Sequence, residues 1–234
     1  MMCQMISEGI ASCLGRIRAK DQIAPAELES VLGVVINLTL DEHFIEQLQQ
    51  HGAMGLLKDS LTVSATPGCT SRALAAAARI ARHAAAADDA IRVGVFDMFL
   101  EKLKRLRETP ADDLDHCVRG VAQCLKVTGA SAGRRLMQEE GVLEALLAVL
   151  SCSREHAVGN AALVIQVLAN EEANLAALGR AGCVKALLDV VHYQRGPAQK
   201  NAALALARVV KLEANLSQLK ALHGFEILNS YLRM

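Results

Sequence analysis

Six glycines recur along the chain at intervals of 41–47 residues, and each is followed by an apolar run of helical character. They are Gly9, Gly52, Gly94, Gly141, Gly182 and Gly224. A period of this length, filled with helix-forming sequence, predicts stacked helical units. A single unit cannot bury its apolar faces alone, so its stability comes from its neighbours along the chain.

Each period has the pattern of three helices, as the fourth period illustrates. Glu171–Ala181 is a short helix with an acidic first turn, which suits the helix dipole, and Gly182 allows a sharp bend. Cys183–Val191 is a second, apolar helix, and Gly196-Pro197 opens a longer third helix. The predicted third helices are Ala26–Leu40, Thr70–Ala86, Leu114–Val127, Glu155–Ala169 and Pro197–Leu212.

The prediction is therefore an all-α chain, a right-handed solenoid of about five three-helix units in a single domain, 1–234. The predicted units are a partial repeat at 1–40, repeats at about 41–86, 87–128, 129–169 and 170–212, and a partial terminal repeat at 213–234. The longest period is expected to place its extra residues in a loop at 105–113. Because the chain starts inside a repeat, we expect it to belong to a longer chain or to meet a partner at its N-terminal end.

The amino-acid composition narrows the range of possible functions. The chain is 52% hydrophobic but only 3% aromatic, and 25 basic residues balance 25 acidic ones. Zero net charge and scarce aromatic side chains argue against nucleic-acid binding, and no apolar run is long enough to span a membrane. Seven cysteines without a Cys-x-x-Cys pair fit a reducing compartment, the cytoplasm with the nucleus as an alternative.

The sequence contains no pattern typical of catalysis, and it predicts no cofactor, no metal and no enzymatic activity. Phosphate-binding loops, nucleophile elbows and zinc-protease motifs are all absent. Asp115-His116-Cys117 brings three reactive residue types together, but adjacent helical residues point about 100° apart and do not converge. Cys117 and Cys124 lie on one helix face, and no histidine or second cysteine pair is placed to complete four metal ligands. We therefore expect both cysteines to pack in the core rather than bind a metal.

The last two periods carry a recognisable motif. The segments 160–191 and 201–232 begin with Asn-Ala-Ala, place an asparagine in the next short helix, and continue through a small residue and glycine to a leucine-rich helix. This pattern resembles the armadillo repeat, a three-helix unit that stacks into solenoids which bind other proteins. The resemblance implies a noncatalytic scaffold or adaptor that holds a protein segment along the concave face formed by the third helices.

A narrower resemblance is to the C-terminal armadillo arrays of tetratricopeptide-containing cochaperones, of the Unc-45 type and the tetratricopeptide repeat protein 12 type. It implies an alternative role, a client-holding arm in the assembly of a large cytoskeletal motor complex containing myosin or axonemal dynein. An enzyme subunit and a nucleic-acid-binding solenoid are more distant alternatives.

In armadillo proteins that bind extended peptides, an asparagine near the end of each third helix bonds the peptide backbone. The matching positions lie fifteen residues before each recurring glycine from Gly52 onward, and the last position is shifted by one residue. Only the first of these positions keeps the asparagine. They are Asn37, Arg79, Lys126, Val167 and Arg208. Four residues earlier, where importin-α-like proteins carry tryptophan, this chain has none, so binding of a nuclear-localisation peptide in that manner is not expected.

Cations replace the asparagine at three of these positions, and further cations lie nearby on the same helices. These are Arg72, Arg82, Arg119, Lys200 and Lys211. Two interpretations stay open. The cations form either a solvated stripe or a basic groove that attracts an extended acidic segment of a protein partner.

Overall fold

Helices make up all the regular secondary structure of the residues that the computed structural model describes, 2–62 and 66–232. They form two compact units. Unit 1 comprises Met1–Lys102 and Arg107–Thr128, and unit 2 comprises Leu103–Leu106 and Gly129–Met234. Both units repeat the predicted order of a short first helix, an apolar second helix and a long third helix.

The helices are numbered in chain order and fall into the three predicted classes. The first helices are α3 Glu42–Gln50, α6 Ala84–Val93, α9 Ala130–Gln138, α12 Glu172–Arg180 and α15 Glu213–Ala221. The second helices are α1 Met2–Arg18, α4 Ala53–Thr62, α7 Val95–Lys104, α10 Val142–Leu150, α13 Cys183–Tyr193 and α16 Gly224–Leu232. The third helices are α2 Pro25–Leu38, α5 Pro67–Ile80, α8 Ala111–Thr128, α11 Glu155–Leu168 and α14 Gly196–Val209. A 3-10 turn, Lys20–Gln22, precedes α2.

Left-handed residues form most of the predicted bends between first and second helices. The φ values are between +72° and +92° at Gly52, Gly94, Gly141 and Gly182. A residue with a Cβ atom rarely adopts such values. Before α16 the bend falls one residue early, because His223 has a φ of +52° and Gly224 already begins the helix. Gly9, the first of the recurring glycines, forms no bend, because it lies inside α1.

The structure divides the predicted helix Thr70–Ala86 in two. Thr66 caps α5 by accepting a hydrogen bond from the Cys69 backbone N–H, and α5 ends at Ile80, before α6 begins at Ala84. The alanine run contains no glycine or proline that marks this break. Alanine favours helix throughout, so packing rather than local propensity sets where α5 stops.

The longest period differs from its prediction in a similar way. The connection before α8 covers only 105–110, and α8 itself has 18 residues where the other third helices have 14. The extra residues are therefore shared between the connection and the helix. Asp112 and Asp113 lie in the first turn of α8, where the helix dipole favours carboxylates.

Small side chains bring the third helices together. In unit 1, α2 packs on α5 and α5 packs on α8, while in unit 2 α11 packs on α14. The alanines at 73 and 75–78 of α5 are all buried, which permits a close approach between backbones. Phe96 and Phe99 of α7 are the largest fully buried side chains of unit 1. The C-terminal ends of α2 and α5 lie beside one another, next to the part of α8 that contains Arg119 and Gln123.

Candidate functional site

The predicted ladder positions all lie one to two residues from the C-terminal end of a third helix. In unit 1, Asn37 and Lys126 are exposed and Arg79 is half-buried. In unit 2, Val167 and Arg208 are half-buried. The three positions of unit 1 lie on helices that pack in sequence, α2 on α5 and α5 on α8. Unit 1 therefore presents a ladder of one amide and two cations at neighbouring helix ends.

A cleft of about 250 Å³ opens between the C-terminal ends of α2 and α5 and the middle of α8. We call it the arginine cleft, because three of its seven lining residues are arginines and none is acidic. Its lining residues are Thr39, Leu40, Ala78, Arg79, Arg82, Arg119 and Gln123. Leu40 forms an apolar rim, with 73% of its surface exposed.

The arginines of the cleft keep their charge uncompensated. Among the residues whose side chains the structure describes, none forms a hydrogen bond or an ion pair with the guanidinium groups of Arg79, Arg82 or Arg119. Lys126, close by on α8, likewise has no such partner among those residues. A concentration of unpaired cations on one face attracts anions.

Two other predicted site arginines are engaged within the fold. The Arg72 guanidinium donates to the Glu29 backbone carbonyl at 2.9 Å and pairs with the Glu29 carboxylate at 3.2 Å. The Arg208 guanidinium donates to the Gln166 carbonyl at 3.0 Å. Both therefore join a third helix to the third helix before it. Their role in partner binding stays a prediction.

The third-helix face of unit 2 is more apolar than that of unit 1. Leu163 and Val167 are half-buried on α11, and Leu204 on α14 is 44% exposed. Lys200 and Lys211 are exposed near opposite ends of α14, so they do not converge as the arginines of unit 1 do. The cationic site that the geometry supports therefore lies in unit 1.

A second cleft in unit 2, of about 340 Å³, lies between α10 and α13. The charged residues that line it are Lys185 and Asp189, which pair with each other at 2.6 Å. The hydrogen bond to Asp189 raises the pKa of the exposed Lys185 ammonium. Since these charges compensate one another, this cleft offers no net charge to a ligand.

Sequence comparisons find no relative, because no protein-family profile and no curated protein matches the chain. Solved structures do match. An engineered protein has a TM-score of 0.81 at 18% identity, covering 94% of this chain and 89% of its own. A designed armadillo repeat protein in complex with the peptide (KR)4 has a TM-score of 0.74 at 19% identity, covering 88% and 84%. The chain has the armadillo-repeat fold. The prediction of an all-α solenoid of armadillo-like units is thus confirmed.

A third match supports the same assignment. A computationally designed armadillo repeat protein for modular peptide recognition has a TM-score of 0.69 at 18% identity, covering 88% of this chain and 92% of its own. Identities of 18–19% to the two designed armadillo repeat proteins show that this fold tolerates replacement of most side chains. What such a fold binds depends on the residues at its surface.

The asparagines that carry the armadillo motif stabilise helix ends in this chain. The Asn174 amide donates to the Leu168 carbonyl at 3.0 Å, at the end of α11. The Asn215 amide donates to the Val209 carbonyl at 2.9 Å, at the end of α14, and to the Leu175 carbonyl at 2.8 Å. Terminal helix carbonyls lack an intrahelical partner, so the motif asparagines have a structural role.

The Asp115-His116-Cys117 cluster is not arranged for nucleophilic chemistry. Burial, followed by the nearby Arg119 charge, lowers the pKa of the His116 imidazole, so His116 favours its neutral form. Burial also raises the pKa of the Cys117 thiol far above its usual range. Because the thiolate is the reactive form of cysteine, Cys117 stays inert. In the described residues, no three His, Cys, Asp or Glu side chains are grouped to hold a metal ion.

Burial also raises the pKa of the Cys124 and Cys183 thiols to about 12. In the native protein at pH 8, we expect iodoacetamide to modify the half-exposed Cys13 and Cys152 first. Cys117, Cys124 and Cys183 should react only after unfolding in guanidinium, when their pKa values return to about 8.5. Mass spectrometry of peptides from timed reactions measures the order. Labelling of Cys117 as fast as Cys152 in folded protein would contradict it.

Proposed function

We propose that this chain is a noncatalytic protein-binding scaffold that recognises an extended acidic segment of its partner. The segment binds along the third-helix face of unit 1, across the ends of α2, α5 and α8. The observation that supports this most directly is the unpaired charge of Arg79, Arg82, Arg119 and Lys126 on that face. Acidic side chains can pair with these cations, while the Asn37 amide is free to bond the backbone of the segment.

Charge complementarity explains why an acidic partner is favoured over a basic one. The designed armadillo protein in the comparison is in complex with (KR)4, a strongly basic peptide. The third-helix face of unit 1 in this chain is itself cationic, so it would repel a basic peptide. Complementary charge accelerates the encounter and sets register more than it adds affinity. The expected binding is therefore fast and sensitive to salt.

A peptide titration tests the proposal. A fluorescent decamer of glutamate should bind the chain, whereas (KR)4 should not, and the affinity should fall as NaCl rises from 50 to 300 mM, a range that shortens the Debye length. The double variant Arg79→Glu, Lys126→Glu should weaken glutamate-decamer binding about tenfold or more, because each exposed ion pair contributes up to about 1 kcal/mol and reversal turns attraction into repulsion. Fluorescence anisotropy measures both effects.

The matched control is Arg105→Glu, Arg107→Glu, which changes net charge by the same amount in the connection before α8. Both residues are exposed and precede α8, and the first residue of α8 lies about 22 Å along the helix axis from Lys126. The control should bind the glutamate decamer nearly as well as the native chain. Equal losses in both double variants would support the solvated-stripe interpretation and contradict a specific groove.

The more detailed expectations stay predictions. These are the cochaperone-type alternative with its motor-complex client, the cytoplasmic or nuclear location, the single domain with its repeat boundaries, and attachment to a longer chain. None of the helices in the described part of the chain is long and apolar enough to cross a membrane. The proposal itself rests on the surface of unit 1 alone.

A further inference from the structure

We propose that the arginine cleft binds a phosphorylated side chain of the partner's acidic segment, an inference that rests on the proposed function and makes it more specific. The acidic segment would lie along the ends of α2, α5 and α8. Its phosphoryl group would enter the cleft between Arg79, Arg82 and Arg119. Carboxylates on either side of it would pair with outlying cations such as Lys126.

The number and type of cations favour a phosphoryl group over a carboxylate. Three arginines from two helices and the turn after α5 line one cleft, and no described side chain forms an ion pair with them. A carboxylate carries one charge on two oxygens. A phosphorylated serine or threonine carries a charge of about −1.5 to −2 and three acceptor oxygens, enough for several charge-assisted hydrogen bonds. Three converging cations therefore match one phosphoryl group better than one carboxylate.

The choice of arginine points the same way. Every cation that lines the cleft is an arginine, although lysine is present nearby at Lys126. A guanidinium group presents a planar fork that binds two oxygens of a phosphate at once, whereas an ammonium group acts as a point charge. The cleft thus has the donors for bidentate contacts, and the outlying lysine supplies charge without that geometry.

The size and walls of the cleft suit a phosphorylated side chain. A volume of about 250 Å³ is roughly eight times the volume that one water occupies in the liquid, which leaves room for a phosphoryl group and its carbon stem. Leu40 offers apolar surface to the stem, and the Gln123 amide adds a neutral donor. Leu40 is highly exposed in the free chain, and contact with the carbon stem of the bound segment would bury it.

Three peptides separate phosphate recognition from general acidity. They share the sequence acetyl-Glu-Glu-Leu-X-Glu-Glu-amide and differ only at X, which is serine, glutamate or phosphoserine. Titration calorimetry on the full chain should show the phosphoserine peptide binding about tenfold more tightly than the glutamate peptide. The serine peptide should bind most weakly.

Substitutions in the arginine cleft test whether it is the source of the preference for phosphoserine. Arg82→Gln, Arg119→Gln should abolish the difference between the phosphoserine and glutamate peptides, and Arg119→Lys, which keeps the charge but loses the fork, should reduce it severalfold. The matched control Lys126→Gln should weaken both peptides by the same factor and leave their ratio unchanged. Arg82 is exposed and Arg119 half-buried, and circular dichroism melts of each variant confirm that the fold is retained.

The outcomes distinguish the two proposals. Equal affinity for the phosphoserine and glutamate peptides overturns the phosphoryl inference and leaves the acidic-segment proposal standing. A phosphoserine preference that survives Arg82→Gln, Arg119→Gln also overturns the inference, because the phosphoryl group then binds elsewhere. Failure of all three peptides to bind overturns the proposed function itself. Binding of the phosphoserine peptide alone supports the cleft and contradicts an extended carboxylate ladder.

Discussion

Replacing Asn215 by leucine should lower the free energy of unfolding by about 2–4 kcal/mol. Asn215 is 1% exposed, and its amide donates to the Leu175 and Val209 carbonyls. Leucine has a similar size but no donor. The Val209 carbonyl, at the end of α14, would then be left without its side-chain partner in a buried site, at a cost of about 1–3 kcal/mol. Urea unfolding followed by circular dichroism measures the change.

Two companion variants test the reason for this loss. Asn174→Leu occupies the matching place one repeat earlier but removes a single, half-buried bond, so it should cost about 1 kcal/mol. Gly179→Ala would place a Cβ atom 1.8 Å from the Asn215 side-chain oxygen. It should therefore destabilise the native chain strongly but add little once Asn215 is alanine. Additive losses would show that Gly179 and Asn215 do not act as a pair.

Replacing Gly120 by alanine should destabilise the chain by about 1–3 kcal/mol, although alanine is the better helix former by about 1 kcal/mol. Gly120 is buried in α8, and an added Cβ atom would lie 2.3 Å from the ring of Phe99. Phe99 is fully buried in unit 1, and a planar ring in a packed core cannot give way as a flexible chain end can. Overpacking therefore outweighs propensity at this position.

A matched glycine should respond in the opposite direction. Gly55 lies inside α4 with no atom near its added Cβ, so Gly55→Ala should stabilise the chain by about 0.4–1 kcal/mol. Combining Gly120→Ala with Phe99→Leu should recover part of the loss, because the smaller side chain leaves room for the methyl group. Thermal unfolding of the native chain and these three variants provides the comparison. A rise in stability for Gly120→Ala alone would contradict close contact with Phe99.

The regular spacing of small residues made most of the fold predictable. Where a bend needs a left-handed residue, glycine marks it in the sequence, as at Gly94 and Gly182. Three details were not predictable because they depend on packing. Gly9 continues a helix, His223 adopts the left-handed conformation in place of its neighbour, and the break after Ile80 lies within an alanine run.

The candidate site was predictable only in part. The repeat register identified Arg79 and Lys126, and the sequence placed Arg82 and Arg119 nearby, but the cleft that Arg79, Arg82 and Arg119 line together needed coordinates. The register treated Arg208 in the same way, yet its guanidinium is engaged by a main-chain carbonyl. Every residue has a main-chain carbonyl, so no sequence pattern shows which carbonyl accepts a hydrogen bond from a side chain.

Several of the bonds that join one repeat to the previous one therefore depend on the identity of only one partner. Arg72, Asn201 and Asn215 each reach about forty residues back to the backbone of an earlier helix. Substitution at the receiving residue cannot delete its oxygen. The accepting half of each hydrogen bond therefore survives any substitution at its residue. As a result, the sequence of one repeat can diverge widely while the next repeat still packs against it in the same position.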